Sequence, residues 1–290
     1  AQACFASRSK SCRLSMAPRP KARRKGKRAT GQEQAAPKWT VTLCGLGNGS
    51  DLEIASQADP SHKYIFPAIT GNDLWDATFH LARFLAAGSA GDLRGVRCLE
   101  LGAGLGLPGL TAASQGASVL LTDLAANIPA LEENCRRNSA RLSAEPRGMA
   151  AAAVLDWDSF VHGDSVLQDA ALAASQRVSL VLAGPADVVL GSDVTWSPSL
   201  CKSLVAVITG LVQHEAIRAD AELFFAHTSR HGWGTPGKSP EGLATFSLDS
   251  HLEDVGFSLC EQTAIGDEQG TYIFRYTRNV SGIRCGHTTP

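Results

Sequence analysis

The chain has 290 residues, 44% of them hydrophobic, a length that allows one large domain or two small ones. Its net charge of −1 hides two parts: residues 1–38 hold eleven Lys/Arg and one acid, and the remainder holds 16 basic and 27 acidic residues. An acidic body argues against a nucleic-acid substrate, since phosphate binding needs clustered Lys/Arg, and no apolar stretch reaches the ~18 residues of a membrane-spanning helix.

Residues 1–38 are predicted to be a disordered basic tail or a targeting segment, because they contain little that could form a core. The basic run from Lys21 to Arg28 is compatible with a nuclear-localisation or nucleic-acid-attracting patch. The acid-poor, Ser/Arg-rich segment is equally compatible with an organelle transit peptide or with a solvated tail. We therefore expect the cytoplasm or nucleus, or a chloroplast or mitochondrion if the segment is a transit peptide.

Residues 39–290 are predicted to form a single domain with an N-terminal extension over residues 39–90. In the extension, Trp39 to Leu43 alternates like a strand and is expected to pair with Leu52 to Ile54. Leu74 to Leu85 then has apolar residues at helical spacing.

Strand-like and helix-like runs alternate through the rest of the domain. Strands are predicted at 96–101, 118–122, 150–155, 187–190, 222–226, 257–260 and 271–276, and helices at 107–115, 127–140, 198–212 and 241–255. This alternation predicts an α/β fold: a Rossmann-like, doubly wound, seven-stranded and mostly parallel sheet. The last two strands have only a short link and are expected to form an antiparallel hairpin. Residues 158–186 show no clear period and are interpreted as an inserted loop.

A glycine-rich loop follows the first strand of this series. The run from Glu100 to Gly106 (ELGAGLG) closes one apolar run, and Asp123 ends the next one about 20 positions on. This arrangement is typical of nucleotide binding, since glycines let the backbone approach the ligand and the carboxylate accepts hydrogen bonds from two ribose hydroxyls.

The loop fits two nucleotide patterns. Gly104-x-Gly106-x-x-Gly109 has dehydrogenase spacing, but Pro108 lies where a dehydrogenase helix donates amides to a pyrophosphate. The pattern Glu-x-Gly-x-Gly-x-Gly, beginning at Glu100, is typical of S-adenosylmethionine sites, which hold no phosphate. In such a site Glu100 can order the loop or accept from the methionine ammonium. The loop therefore favours S-adenosylmethionine over NAD.

Further blocks accompany the loop in a fixed order: GNDLWDA at 71–77, LELGAGLGLPGL at 99–110, TD at 122–123, NCRRN at 134–138, LDW at 155–157 and VVLGSDVTW at 188–196. From about Lys63 to Tyr276 the chain resembles the seven-β-strand protein methyltransferases of lysine methyltransferase family 16, methyltransferase-like 21 type. Members of that family modify lysines on chaperones, AAA ATPases and translation factors. The resemblance implies S-adenosylmethionine-dependent methylation of a protein lysine.

The resemblance also implies which residues contact the donor. They are Trp75, Gly102, Ala103, Gly104, Asp123, Trp157 and Ser192, with Glu100 added from the loop pattern. We expect Trp75 to close over the methionine end, and Trp157 to flank the adenine ring.

Asp193 is the expected catalytic residue, because it follows the fourth strand at the edge where open α/β sheets bind ligands. The family has Asp-x-x-Tyr here, whereas this chain has Trp196 in place of the tyrosine. Trp196 is the second expected catalytic residue, since its ring face can hold an ammonium by cation–π attraction. The alternative for Asp193 is a helix N-cap.

Other signals are weaker. His227 and His231 have i, i+4 spacing, but no third ligand accompanies them, so no metal is expected. Arg230 follows the fifth strand, near a substrate channel or in solvent. The eight cysteines form no C-x-x-C pair and are interpreted as reduced thiols of an intracellular protein.

The sequence leaves two functional alternatives to protein-lysine methylation. One is a small-molecule N-methyltransferase, if residues 158–186 close the acceptor pocket; the other is a catalytically weak module that binds the donor. An NAD-dependent enzyme is disfavoured. We expect a monomer with a lysine-containing protein partner, no membrane partner, and no nucleic-acid partner except through the tail.

Overall fold

The structure is a computed structural model that describes residues 40–46, 51–56, 71, 73–161, 165–228, 243–265 and 270–278. These residues belong to one compact unit, which comprises residues 37–290. The predicted basic tail lies outside the described residues. Within the described ranges, no helix has both the length and the apolar character that crossing a bilayer requires.

The described chain begins with a small two-stranded sheet. Strands β1 (Thr40–Cys44) and β2 (Leu52–Ser56) pair antiparallel, with Thr40 opposite Ser56 and Cys44 opposite Leu52. The predicted pairing is confirmed. Leu52 and Ile54 are fully buried, whereas Leu43 is mostly exposed, so β2 is the strand that packs on the domain.

The central sheet has seven strands, as predicted: β3 (Arg97–Leu101), β4 (Ser118–Asp123), β5 (Met149–Val154), β6 (Ala186–Ser192), β7 (Ile217–Thr228), β8 (Phe257–Ile265) and β9 (Thr271–Arg278). Their order is β5-β4-β3-β6-β7-β9-β8, and β9 is antiparallel to both of its neighbours. The chain runs outward from β3 to β5 and then returns to place β6 on the other side of β3. This reversal puts a topological switch point between β3 and β6, where open α/β sheets bind ligands.

Helices cover both faces of the sheet: α1 (Asp76–Ala86), α2 (Leu107–Ser114), α3 (Ile128–Leu142), α4 (Asp158–Val161), α5 (Ser165–Val181), α6 (Pro198–Gln213) and α7 (Leu243–Asp254). Strand residues alternate between two cores. Cys98 packs with α1, α2 and α3, and the next residue, Leu99, packs with α5, α6 and α7. The doubly wound architecture is therefore confirmed.

Two asparagines of α3 dock the β1–β2 sheet onto the domain. Asn134 accepts from the Ala55 N–H at 2.7 Å and donates to the Ala55 carbonyl at 3.1 Å, which mimics the pairing of a neighbouring strand. Asn138 makes the same two contacts with Glu53, at 3.0 and 2.8 Å. The Asn134 amide also donates to the carbonyl of Leu105, 2.9 Å away in the glycine loop. One buried side chain thus connects the N-terminal strands to the loop.

The interpretation of residues 158–186 as a loop is wrong. Helices α4 and α5 occupy most of this segment, and Val178 and Leu182 are buried against the sheet. The sequence of α5 shows little helical period because alanines and serines occupy much of it, and such small side chains reduce the contrast between apolar and polar faces.

Candidate active site

A cavity of about 550 Å³ opens at the carboxyl edge of the sheet, at the switch point between β3 and β6. The ends of β3 to β6 and the start of α1 line it. Nine of the ten residues predicted for the site lie on its wall: Trp75, Gly102, Ala103, Gly104, Asp123, Trp157, Ser192, Asp193 and Trp196. Five separate blocks of sequence therefore meet at one place.

The glycine loop has no room for side chains. Gly102 has φ +62°, and a Cβ there would lie 2.8 Å from Val194 Cγ1 and 3.4 Å from the Trp157 ring. Gly104 has φ +56°, and its Cβ would approach the Gly71 carbonyl at 3.1 Å. Both glycines adopt a left-handed conformation that L-residues disfavour. The loop can therefore follow the cavity wall closely only with glycine at these positions.

Asp123 fixes the loop from the tip of β4. Its Oδ2 accepts from the Gly104 N–H at 2.7 Å, and its Oδ1 accepts from Leu124 N at 2.7 Å and from Asn127 Nδ2 at 2.8 Å. The residue is only 8% exposed. The carboxylate is thus held rigidly at the cavity wall by three donors.

Glu100 is the predicted site residue that does not line the cavity. Because strand residues alternate, Glu100 points to the same face as Cys98, towards α2, and it is fully buried. Its Oε2 accepts from the Gly109 N–H at 2.9 Å. A direct contact with a methionine ammonium is therefore wrong for Glu100 in this structure, whereas the predicted ordering of the loop is consistent with its position.

A hydrogen bond joins α1 to the end of β6. The hydroxyls of Thr78 and Ser192 lie 3.0 Å apart, and both residues line the cavity. Trp75 stands immediately before α1, as its N-cap residue. This hydrogen bond therefore fixes the helix that follows Trp75 against Ser192. The two residues predicted to contact the donor are linked in this way through Thr78.

Asp193 leaves β6 in a left-handed conformation, with φ +58°, and its backbone N–H donates to the Ala226 carbonyl at 2.8 Å. The carboxylate lies 3.7 Å from Nδ1 of the buried His227, which is 3.3 Å from the Thr195 hydroxyl. Positive φ in a non-glycine residue is costly and is concentrated at functional sites. The N-cap alternative is wrong, because Ser197 caps α6 by accepting from Leu200 N.

Three tryptophans border the cavity. Trp157 packs half-buried over Gly102. Trp75 remains 38% exposed and Trp196 remains 46% exposed, so both present ring surface at the mouth. Large exposed aromatic rings at a cavity are suited to hold an apolar or cationic ligand.

The wall of the cavity is acidic. Five carboxylates belong to it, and no Lys, Arg or His is among the described lining residues; the five are Asp73, Asp123, Asp156, Asp158 and Asp193. Such a wall attracts cations and repels phosphates and carboxylates.

Several residues that line the cavity are not among those predicted from the sequence. Thr78 lies one helical turn after Trp75, and Asp156 follows β5 at the same edge as Asp123, so helix and sheet geometry could have indicated both. Asn127 gave no signal, because an asparagine immediately before a helix is expected to cap it.

The weaker signals concern a pair of histidines, one arginine and the cysteines. Among the described residues, no group of three or more His, Cys, Asp or Glu is arranged to hold a metal ion. His231 and Arg230 lie outside the described residues. The five described cysteines are free thiols: Cys44, Cys98, Cys135, Cys201 and Cys260.

Known proteins are similar to part of this chain. EEF1A lysine methyltransferase 3 of Mus musculus is 30% identical over 123 residues, which cover 42% of this chain and 43% of that protein. Protein N-lysine methyltransferase METTL21A of Danio rerio is 31% identical over 141 residues, covering 47% and 55%. Histone-arginine methyltransferase METTL23 of Xenopus laevis is 31% identical over 145 residues, covering 49% and 52%. The chain thus spans about half the length of these relatives.

A family-level match covers most of the domain that holds the cavity. A family model described as "Lysine methyltransferase" matches residues 67–232, more than half of the chain. That range includes the glycine loop, Asp123, Trp157 and Asp193. The chain therefore belongs to the lysine methyltransferase family.

Proposed function

We propose that the protein is an S-adenosylmethionine-dependent methyltransferase that acts on a lysine side chain of another protein. The observation that carries the proposal is the Asp123–Gly104 hydrogen bond, which fixes a glycine loop around an acidic cavity at the switch point of the sheet. Membership of the lysine methyltransferase family supports the same reaction.

The charge and the helix geometry support S-adenosylmethionine over a dinucleotide. A pyrophosphate needs free amides at a helix N-terminus. Here the Gly109 N–H is occupied by Glu100, and Pro108 has no N–H to offer. S-adenosylmethionine carries two positive charges and one negative charge, so it suits a wall of five carboxylates.

The donor site consists of the residues that surround the loop. We assign the ribose to Asp123, the adenine to the side of the cavity that holds Trp157 and Asp156, and the methionine end to the side that holds Trp75 and Ser192. Gly102, Ala103 and Gly104 provide the close backbone wall between them.

The acceptor is assigned to the side of Asp193 and Trp196. When bound, S-adenosylmethionine supplies a methyl group on a positively charged sulfur, which leaves as a neutral thioether. The lysine nitrogen must be a neutral amine to form the new N–C bond, yet its ordinary pKa is about 10.4. The Asp193 carboxylate can hold the amine in line and accept its proton, and alignment itself supplies much of the rate. The face of Trp196 can retain the amine or its methylated form.

The mouth of the cavity favours a protein acceptor over a small molecule. Trp196, on the acceptor side, keeps 46% of its surface exposed, so this side of the cavity is open in the described residues. Residues 158–186 meet the cavity through Asp158, whereas the rest of α4 turns towards α6, where Phe160 fills the space beside Gly210.

The proposal is tested with tritiated S-adenosylmethionine and a cell lysate, followed by mass spectrometry of the labelled protein. We expect label in a precipitable protein, on a lysine, and its loss with Asp193→Asn. Because one similar protein is named as a histone-arginine methyltransferase, methylation mapped to arginine would correct the acceptor. Label recovered only in small molecules would contradict the proposal. The absence of label with both the wild type and Asp193→Asn would contradict it as well.

A further inference from the structure

Asn127 occupies the N-cap position of α3 but does not cap the helix. A capping asparagine accepts a backbone N–H from the first turn through its Oδ1. In this helix the Asn127 side chain makes no such bond, and its Nδ2 donates to Asp123 instead. Its side chain therefore binds Asp123, a residue of the cavity wall, and not the backbone of its own helix.

The amide of Asn127 has a defined orientation. Its Nδ2 must face Asp123 Oδ1, 2.8 Å away, because the opposite orientation would set two oxygens against each other. Gly71 packs directly against the amide, where a Cβ would lie 2.2 Å from Nδ2 and 3.1 Å from Oδ1. The Oδ1 atom of Asn127 thus has a fixed place.

That oxygen has no hydrogen-bond partner among the described residues, although Asn127 is 95% buried and lines the cavity. Buried polar atoms without a partner are rare in native proteins and call for a ligand or a water. Here the unsatisfied atom is an acceptor adjacent to the carboxylate that holds the ribose in the proposed function.

Asp123 cannot satisfy a ribose alone. A carboxylate offers about four acceptor positions, and Gly104, Leu124 and Asn127 already occupy three of those of Asp123. A ribose diol brings two hydroxyl donors, so a second acceptor is required. The expectation that Asp123 accepts from both hydroxyls does not fit this arrangement.

We infer that Asn127 is a donor-binding residue: Asp123 Oδ2 accepts one ribose hydroxyl and Asn127 Oδ1 accepts the other. This inference rests on the proposed function, since it assigns the nucleoside end of the same ligand. It also explains why a residue at an N-cap position contacts Asp123 rather than its own helix.

The test measures three ligands against two proteins by isothermal titration calorimetry. The ligands are S-adenosylhomocysteine and its 2′-deoxy and 3′-deoxy derivatives, and the proteins are the wild type and Asn127→Leu. Leucine has a similar volume, so it keeps the packing against Gly71, and a thermal melt verifies the fold. If the variant does not fold, Asn127→Ser, whose shorter side chain does not reach the hydroxyl, replaces it.

We expect the variant to bind S-adenosylhomocysteine about five- to tenfold more weakly, the effect of one lost neutral hydrogen bond. One deoxy derivative should bind both proteins equally, because it lacks the hydroxyl that Asn127 holds, while the other should retain the full difference. An equal weakening of all three ligands, or no weakening, would overturn the inference. If the wild type does not bind S-adenosylhomocysteine, the proposed function fails instead.

Discussion

The carboxylate of Glu100 and the backbone of Gly109 are in direct contact at the base of the glycine loop. The Gly109 N–H donates to Glu100 Oε2 at 2.9 Å, and a Cβ on Gly109 would lie only 2.5 Å from the same oxygen. Burial raises the pKa of Glu100 to about 8, and the Gly109 N–H offsets only part of that rise. A fully buried carboxyl group therefore holds the glycine loop at Gly109. Ionising this group in its buried site lowers the stability of the fold, so the stability depends on pH.

Because burial raises the pKa of Glu100, the effect of Glu100→Gln on the free energy of unfolding is predicted to depend on pH. The folded state holds a proton on Glu100 up to about pH 8, whereas the unfolded chain loses it near 4.5. Wild-type stability therefore falls between these pH values, by at most about 5 kcal/mol. Glutamine keeps an acceptor for Gly109 without a charge. Thermal melts should show little difference from the wild type at pH 5 and a clearly higher Tm for the variant at pH 9.

Glu133→Gln is the matched control for that experiment. Arg136 lowers the pKa of Glu133, so its stabilising charge is present throughout this range and is lost only in acid. The control should shift the Tm by nearly the same amount at pH 5 and pH 9. A Glu100→Gln shift that is also independent of pH would show that Glu100 is not the titrating group.

A second prediction separates two effects of adding a side chain to a glycine with positive φ: the steric clash of the new Cβ and the strain of the backbone. Gly102 and Gly88 both have positive φ, but a Cβ on Gly102 would strike Val194 at 2.8 Å, whereas nothing lies within 4 Å of a Cβ on Gly88. Alanine should therefore cost about 1–2 kcal/mol of stability at either position through strain. Only Gly102→Ala should weaken S-adenosylhomocysteine more than tenfold by calorimetry. Equal affinities for the two variants would contradict a role of Gly102 in the donor wall.

A third prediction concerns the connection from β2 to the loop. Asn134→Ala removes the bonds to Ala55 and Leu105, and Asn138→Ala removes those to Glu53 and to the Asn134 carbonyl. Each should lower the unfolding free energy by about 2–4 kcal/mol, since buried backbone groups lose their partners. Only Asn134→Ala should also weaken donor binding, because Leu105 belongs to the glycine loop. If both variants bind the donor like the wild type, the connection is only structural.

The fold and most of the site were predictable for a simple physical reason. Parallel strands bring their carboxyl ends to one edge, so Gly102, Asp123, Trp157 and Asp193 were expected to meet there, and they do. The directions of individual side chains are harder to predict than the positions of the strands. Glu100 faces α2 because strand residues alternate, and Asn127 turns away from its own helix. The alternation of strand residues indicates the direction of Glu100 from the sequence alone, whereas the orientation of Asn127 depends on its contact with Asp123, which local spacing does not show.

The fourth prediction is that Asp193 acts on the acceptor and not on the donor. Asparagine is the suitable replacement, because it tolerates the left-handed conformation at φ +58° that alanine would strain. Asp193→Asn should bind S-adenosylhomocysteine within about threefold of the wild type but lose at least about 100-fold in methyl transfer, as expected when a general base is removed. Unchanged turnover of the labelled protein substrate would remove Asp193 from the mechanism.

The central claim, that this cavity binds a methyl-donor nucleoside, is tested most directly by calorimetric titration of the folded protein with S-adenosylhomocysteine and, separately, with NAD. We predict saturable one-to-one heat with S-adenosylhomocysteine, its loss in Asp123→Ala, and no heat with NAD. A folded wild-type protein that gives no heat with S-adenosylhomocysteine, or that binds NAD instead, would contradict the account.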